Sequence, residues 1–164
     1  MIAVAAFASI ATSAPSVPLL GDSEPLERFN LEPAVATKVF AIQIQHLGEP
    51  PLDELFGNVL VRLQLETNGP GSSPSELRVA LAGDSETEER TIVLTDLTQA
   101  LDVLVPAWTT CTTSSTCVED YTLTLTRVNE LDGMQIEVSG EAQVSGEHDG
   151  EGREETVTIE VTPL

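Results

Sequence analysis

The chain has 164 residues, enough for one domain with a substantial core, and its 41% apolar and 21% charged residues are typical of a globular protein. Seven Lys and Arg against 27 Asp and Glu give a net charge of −20. That charge argues against nucleic acid and anionic membrane surfaces as partners, because both bind through clustered cations. It fits either a solvated acidic surface suited to saline surroundings or a surface that binds divalent cations or basic partners.

The N-terminus carries a short apolar segment. Residues 2–10 form an apolar run interrupted only by Ser9, and small residues and then Pro15 follow them. This pattern is typical of a secretory signal and its cleavage region, and the run is too short to span a bilayer. We therefore expect a signal peptide over residues 1–14 and a secreted chain, extracellular or periplasmic, with no membrane insertion of the mature protein. The alternative is an ordinary buried β-segment.

The next segment, residues 15–34, contains four prolines and several acidic residues. Such a composition without regular alternation is typical of extended leaders and linkers. We therefore expect a leader over residues 15–34 and the folded domain over residues 35–164.

From residue 35 onward, apolar and polar side chains alternate with a period of two. The pattern predicts about eight strands, over residues 35–46, 58–66, 77–81, 91–95, 101–105, 118–128, 134–145 and 157–162. Each strand would have one buried and one solvated face, and a single sheet would leave its apolar face in water. The expected fold class is therefore all-β, a two-layer antiparallel β-sandwich of Ig-like or jelly-roll-like type. The alternation does not determine the strand order.

Four segments carry local signals of other kinds. Residues 52–56 fit one helical turn. Residues 97–104 fit either a short helix or a strand from about residue 101, and Pro106 in a β-rich setting favours the strand. Residues 129–133 predict a hairpin turn between the strands on either side. Gly140, inside the following strand, predicts a bulge or bend.

The two cysteines, Cys111 and Cys117, are separated by five residues. In an exported chain such a pair predicts a disulfide. The spacing does not match a C-x-x-C redox site, and two thiols without nearby histidines are poor zinc ligands. Closing so short a loop would stabilise the fold by only about 2 kcal/mol.

Acidic residues and glycines are interleaved in the polar loop from Gly146 to Gly152. Calcium binds several oxygen ligands on a flexible backbone, which makes Glu147, Asp149 and Glu151 candidate Ca²⁺ ligands, although their order matches no EF-hand loop. A second candidate is the acidic turn that contains Asp84, Glu86, Glu88 and Glu89. A composite site would require both loops at the same end of the sandwich. The alternative for each is a solvated acidic loop.

The chain offers few residues for catalysis. Its two histidines, His46 and His148, are accompanied by no Gly-x-Ser-x-Gly nucleophile elbow, so a Ser-His-Asp arrangement is not indicated. Carboxylate pairs for glycoside hydrolysis are available among so many acids, but acids on polar strand faces are usually solvated. We therefore expect no enzyme activity and no cofactor other than Ca²⁺.

Two aromatic residues, Trp108 and Tyr121, flank the cysteine loop. Packing of such rings against a disulfide is common in sandwich cores, whereas an exposed ring would suit stacking on carbohydrate. The dipeptide Asp120-Tyr121, early in a strand, resembles the corner tyrosine of Ig-like domains, but no cysteine follows two residues later. That resemblance implies no function.

The leading hypothesis is an exported, non-catalytic β-sandwich with a role in binding, adhesion or surface structure and with a protein or carbohydrate partner. It rests on the absence of a catalytic set in the sequence and on the loops that a sandwich gathers at its ends. A Ca²⁺-stabilised extracellular module is the alternative, and a carboxylate-dependent hydrolase is the second alternative.

Overall fold

The period-two alternation of the sequence appears in the structure as strands with one buried and one solvated face. The computed structural model describes residues 17–19, 21–33, 35–48, 55–68, 75–84, 86–94, 97–109, 116–128, 135–148 and 156–164. These described residues form ten strands: β1 (Val17–Leu19), β2 (Ser23–Leu31), β3 (Thr37–Leu47), β4 (Leu55–Asn68), β5 (Ser75–Ala82), β6 (Thr87–Leu94), β7 (Thr98–Thr109), β8 (Thr116–Arg127), β9 (Gln135–His148) and β10 (Thr156–Pro163).

The strands form two five-stranded sheets. In the first sheet, β9 pairs with β4 on one side and with β1 and β2 on the other, and β7 follows β4 at the far edge. In the second sheet, the order is β10-β3-β8-β5-β6. All neighbouring strands are antiparallel. This confirms the predicted two-layer antiparallel β-sandwich, with ten strands among the described residues where about eight were expected.

The two additional strands lie where the leader was expected. Both β1 and β2 pair with β9, and Leu26 and Leu31 of β2 are buried in the core. The expected start of the sandwich at residue 35 is therefore wrong, since residues 17–19 and 23–31 already belong to the first sheet. Proline within a strand is tolerated at a sheet edge, where no neighbour needs its missing N–H. Pro18 and Pro25 occupy such edge strands.

The N-terminal strands also join the two sheets. The carboxylate of Asp22 accepts hydrogen bonds from the backbone N–H of Ser23 at 2.9 Å and from that of Ile159 in β10 at 3.2 Å. The ring centroids of Phe29 in β2 and Phe40 in β3 lie 5.3 Å apart. These contacts cover part of the β10 edge, which would otherwise present unpaired backbone groups.

The core lies between the sheets and consists mainly of Val, Leu and Ile. In β4, every second residue from Val59 to Leu65 is buried. In β8, every second residue from Tyr121 to Arg127 is buried. The alternation that predicted the strands is therefore the alternation between the core and the two outer faces.

Most connections run from one sheet to the other. The expected hairpin over residues 129–133 is wrong, because β8 belongs to the second sheet and β9 to the first. Turn residues favour a tight change of direction, but they do not determine whether the chain returns along the same sheet or crosses to the facing one. The strands β5 and β6 do form a hairpin, closed by a 2.8 Å hydrogen bond from Gly83 N–H to Glu86 O.

The remaining local predictions have different outcomes. The strand alternative for residues 97–104 is confirmed by β7, and Pro106 is tolerated because β7 is an edge strand. Leu55 and Phe56 lie in β4 rather than in a helical turn, and residues 49–54 lie outside the described part of the chain. A bulge occurs beside Gly140, in β2, while a Cβ at Gly140 itself would collide with the carbonyl oxygen of Arg62.

Deleting residues 1–31 tests the assignment of β1 and β2 to the domain. The deletion removes two buried leucines and uncovers the edge of β9, so we expect a loss of about 3 to 6 kcal/mol in the free energy of unfolding. Urea denaturation followed by circular dichroism measures it. A matched deletion of residues 1–14, which ends before β1, should change this free energy far less. Equal unfolding curves for the two truncated chains would show that β1 and β2 contribute nothing.

Candidate functional site

The strand register brings several loops to one end of the sandwich. Leu47 of β3 pairs with Thr116 of β8 and with Thr156 of β10, and the end of β5 pairs with β8 only six residues further along. In the first sheet, Leu55 pairs with Thr109 and with His148. The strand ends that flank residues 110–115 and 149–155 therefore share one end, whereas the turn after β5 lies level with the middle of β8.

A concave pocket, called here the recess, opens beside the β5–β6 turn between the two sheets. Its volume is about 110 Å³. Both sheets contribute to it: the lining residues are Gly83, Asp84, Glu86, Pro106, Glu119, Asp120 and Tyr121. The recess combines a concave surface, an aromatic side chain and four acidic residues.

Tyr121 forms the centre of the recess. It is an inner-face residue of β8 and only 7% exposed. Its hydroxyl donates a hydrogen bond to Glu119 Oε2 at 2.6 Å and lies 3.4 Å from the carbonyl oxygen of Pro106 in the first sheet. A Cβ on Gly83 would lie 2.6 Å from the ring, so glycine at this position allows the turn to approach the tyrosine. The ring thus connects the two sheets and the β5–β6 turn.

The surroundings of Tyr121 keep its phenol protonated. Burial raises the pKa of Tyr121 well above its ordinary value of 10.0, and the hydrogen bond to Glu119 and the charges of Glu119, Asp84 and Glu86 raise this pKa further. In the recess the hydroxyl therefore acts as a hydrogen-bond donor and not as a base.

The acidic residues of the recess have different environments. Asp84 and Glu86 are exposed on the turn between β5 and β6, whereas Glu119 is partly buried beside Tyr121. Asp120, on the opposite side of β8, accepts a 2.9 Å hydrogen bond from Gln43 Nε2. Together they give the recess a negative potential that favours cationic groups.

The calcium candidates fall partly outside the described structure. Glu147 lies in β9, where its backbone pairs with Phe56 and Pro18, so the loop expected from Gly146 begins later than predicted. Asp149 and Glu151 lie outside the described residues. Within the part of the chain that the structure describes, no group of three or more Asp, Glu, His or Cys is arranged to hold a metal ion. The calcium assignment therefore stays a prediction.

The structure separates the four acids of the second candidate. Asp84 and Glu86 line the recess, while Glu88 and Glu89 belong to β6. Glu88 accepts a hydrogen bond of 3.0 Å from Arg90 Nε. The acidic turn is therefore not one four-carboxylate cluster.

Only one of the two cysteines of the predicted disulfide lies among the described residues. Cys117 is buried at the start of β8, opposite the buried His46 in β3. Among the described residues there is no free cysteine. Cys111 lies outside them, so the bridge stays a prediction. Neither His46 nor His148 is among the residues that line the recess.

Four of the lining residues stood out in the sequence, Asp84 and Glu86 in the acidic turn and Asp120 and Tyr121 in the corner-tyrosine comparison, but nothing in the sequence indicated that these two pairs lie together. Sequence analysis missed Glu119 and Pro106 as neighbours of the tyrosine. One signal was present: Glu119 has the same parity in β8 as Tyr121, so it is a charged residue at a position where the alternation requires an inner-face side chain.

Comparisons with known proteins add little to this geometry. No protein-family model and no curated protein matches the chain. A solved structure described as the crystal structure of FLHE is similar at 19% identity, covering 84% of this chain and all of that one, with a TM-score of 0.30. A likeness of that size carries no argument about function. Among the described residues, no helix is long and apolar enough to cross a membrane.

Titration of Tyr121 tests the recess directly, because the chain contains a single tyrosine. We expect no tyrosinate absorbance in the folded protein at pH values where the urea-unfolded chain ionises, near its ordinary pKa of 10.0. Since the folded pKa is raised, the resulting stabilisation is fully present below pH 10 and is lost as pH rises towards the folded pKa. Ultraviolet absorbance against pH, with and without urea, measures the pKa of Tyr121 in the unfolded and in the folded chain.

The same titration has a matched pair of variants. Glu119→Gln removes the charged acceptor and should lower the pKa of Tyr121 in the folded protein, whereas Glu160→Gln on an exposed strand face should leave it unchanged. A tyrosine that ionises near pH 10 in the folded wild-type protein would contradict the described burial.

Proposed function

We propose that the chain is an exported, non-catalytic binding protein and that its recess accepts a basic side chain of a protein partner. The supporting observation is the concave surface around Tyr121, on which four acidic residues meet a protonated hydroxyl and a backbone carbonyl group. Carboxylates and carbonyl oxygens are hydrogen-bond acceptors, and an ammonium or guanidinium group offers only donors. The pairing is therefore complementary in charge and in hydrogen bonding.

The size of the recess favours a side-chain end group. Its volume of about 110 Å³ compares with roughly 30 Å³ for one water molecule in the liquid and with roughly 300 Å³ or more for small-molecule pockets. A lysine or arginine end group is of suitable size, whereas a sugar ring between two catalytic carboxylates requires a larger cleft. This comparison favours binding over the carboxylate-hydrolase alternative.

The lining also differs from that of an active site that depends on a Ser, Thr, Cys or Lys nucleophile. Within the described part of the chain it includes no Ser, Thr, Cys, His or Lys side chain, and its carboxylates are the groups on which the hydrolase alternative would depend. Tyr121 is held in its protonated form by burial and by Glu119, which raise its pKa. Export rests on the apolar N-terminal run of the sequence.

An NMR titration with an acetylated hexa-arginine peptide tests this function. We expect the amide signals of Gly83, Asp120 and Tyr121 to shift on addition of the peptide, while those at the opposite end of the sandwich stay in place. Asp84→Asn combined with Glu86→Gln should weaken binding about fivefold or more, because each exposed ion pair contributes up to roughly 1 kcal/mol.

The matched control for that variant is Glu24→Gln combined with Glu66→Gln. Both residues are exposed and lie outside the recess, and the control changes the net charge by the same amount. Equal weakening by the two double variants would show that the peptide responds only to the overall charge. Binding of the peptide without a shift in any amide signal of the recess would contradict the proposal.

A Ca²⁺-stabilised module is the second candidate. It is favoured by the acidic residues that alternate with glycine in the sequence between Gly146 and Gly152, because Ca²⁺ binds several oxygen ligands on a flexible backbone. Millimolar CaCl₂ should then raise the melting temperature by several degrees over EDTA at matched ionic strength, because a ligand that binds only the folded state stabilises it. The same melting temperature in both buffers would remove this candidate without affecting the binding of a basic side chain.

A further inference from the structure

The outer edge of β7 is the longest regular edge of either sheet among the described residues. The strand pairs with β4 along its whole length without a shift of register. The hydrogen bond from Thr67 N–H to the carbonyl oxygen of Leu97 shows that odd-numbered residues direct their backbone groups to β4. Because these groups alternate in direction along a strand, Ala100, Asp102 and Leu104 direct theirs away from the sheet. No described strand pairs with that side of β7, so it can accept another extended chain.

The other sheet edges of the described structure carry features that oppose pairing. The strand β2 contains Pro25 and a bulge, and the carboxylate of Asp22 binds a backbone N–H of β10. In β6, Glu88 and Arg90 occupy inner-face positions opposite buried residues of β5. Prolines, bulges, covering contacts and inward-pointing charges are devices that keep an edge from pairing with a second chain. Before Pro106, β7 has none of them, so its edge is the one that the described fold leaves open.

The side chains beside this edge indicate what would pair well there. On the outer face of the first sheet, Arg62 lies 3.7 Å from Glu141, and Asp102 lies opposite Arg62 on its other side. In the next row, Leu104 is 47% exposed and lies opposite the half-buried Leu60. Opposite charges and apolar groups form favourable cross-strand pairs. These rows would therefore be extended by a cation next to Asp102 and by an aliphatic side chain, two residues away, next to Leu104.

We propose that the edge of β7 binds an extended segment of a protein partner by antiparallel strand addition. The segment carries a basic residue beside Asp102 and an aliphatic residue beside Leu104. An extended polypeptide presents backbone donors and acceptors at the same spacing as the edge, and its alternate side chains supply the specificity. A basic segment also suits a chain whose net charge is −20. Binding at this edge does not require the recess.

A second copy of the chain fits the edge less well than a basic segment does. Two chains of charge −20 repel each other in any register. Pairing of two β7 edges about a twofold axis at Asp102 would also place the two carboxylates side by side, and like charges directly opposite each other are destabilising. The proposed occupant is therefore a different, basic polypeptide.

Amide hydrogen exchange of the full chain, measured by NMR, tests the proposal with the acetylated peptide amide Thr-Val-Thr-Arg-Thr-Val-Thr. In the free protein, the amides of Ala100, Asp102 and Leu104 should exchange much faster than those of Leu101 and Val103, which face β4. Peptide at about ten times its Kd should slow the first three about tenfold and leave the other two unchanged. If the first three already exchange slowly without peptide, or if roughly 2 mM peptide changes none of them, the proposal is overturned.

Two methylated forms of this peptide test the backbone pairing. In antiparallel addition with the arginine opposite Asp102, the valine N–H groups face β7, and those of the two threonines next to the arginine face away. Methylation of both valine nitrogens should weaken binding about tenfold or more, because two hydrogen bonds are lost. Methylation of the two threonine nitrogens should change the Kd by less than about threefold. Equal losses from the two methylated peptides would overturn strand addition.

A charge reversal tests the register. The wild-type protein should bind the arginine peptide more tightly than the same peptide with glutamate in place of arginine. Asp102→Lys should lower this preference about tenfold or more, because it replaces an attractive cross-strand pair by a repulsive one. The matched control is Glu160→Lys, an exposed residue of the second sheet, which should lower the preference by less than about threefold. Equal effects of the two variants would show that only the overall charge matters and would overturn the assignment to β7.

Discussion

The whole structure depends on burying alternate aliphatic side chains between two sheets. Each fully buried Val, Leu or Ile contributes roughly 1.5 to 3 kcal/mol, and with only 4% aromatic residues the core has few larger groups to draw on. Because every second residue of a strand is committed to this layer, the remaining residues must carry nearly all of the 27 acidic side chains on the outer faces and at the ends. The groups that can bind a partner therefore lie on those surfaces.

The strands and the layer architecture could be predicted because they follow from that alternation alone. The strands after residue 35 were located within a few residues, and even β7 was recovered in spite of Pro106. The strands β1 and β2 could not be found in the same way. Their prolines indicate irregular structure when the segment is considered by itself, whereas an edge strand requires backbone hydrogen bonds on one side only. Leu26 and Leu31 are too widely separated, with a bulge between Leu26 and Phe29, to give a period-two signal.

Strand order and the recess were beyond the reach of sequence patterns because both depend on which strands face each other. The turn residues 129–133 are compatible with a hairpin and with a crossing between sheets, and only the pairing of β8 with β3 and β5 decides for the crossing. The sequence drew attention to Tyr121 and to the acidic residues of the β5–β6 turn. It did not indicate that Pro106 of the other sheet lies beside them. Within β8, Glu119 and Arg127 are charged residues at inner-face positions, near its two ends. A charged residue at an inner-face position departs from the alternation, and such a departure is the indication of an unusual site that the sequence does contain.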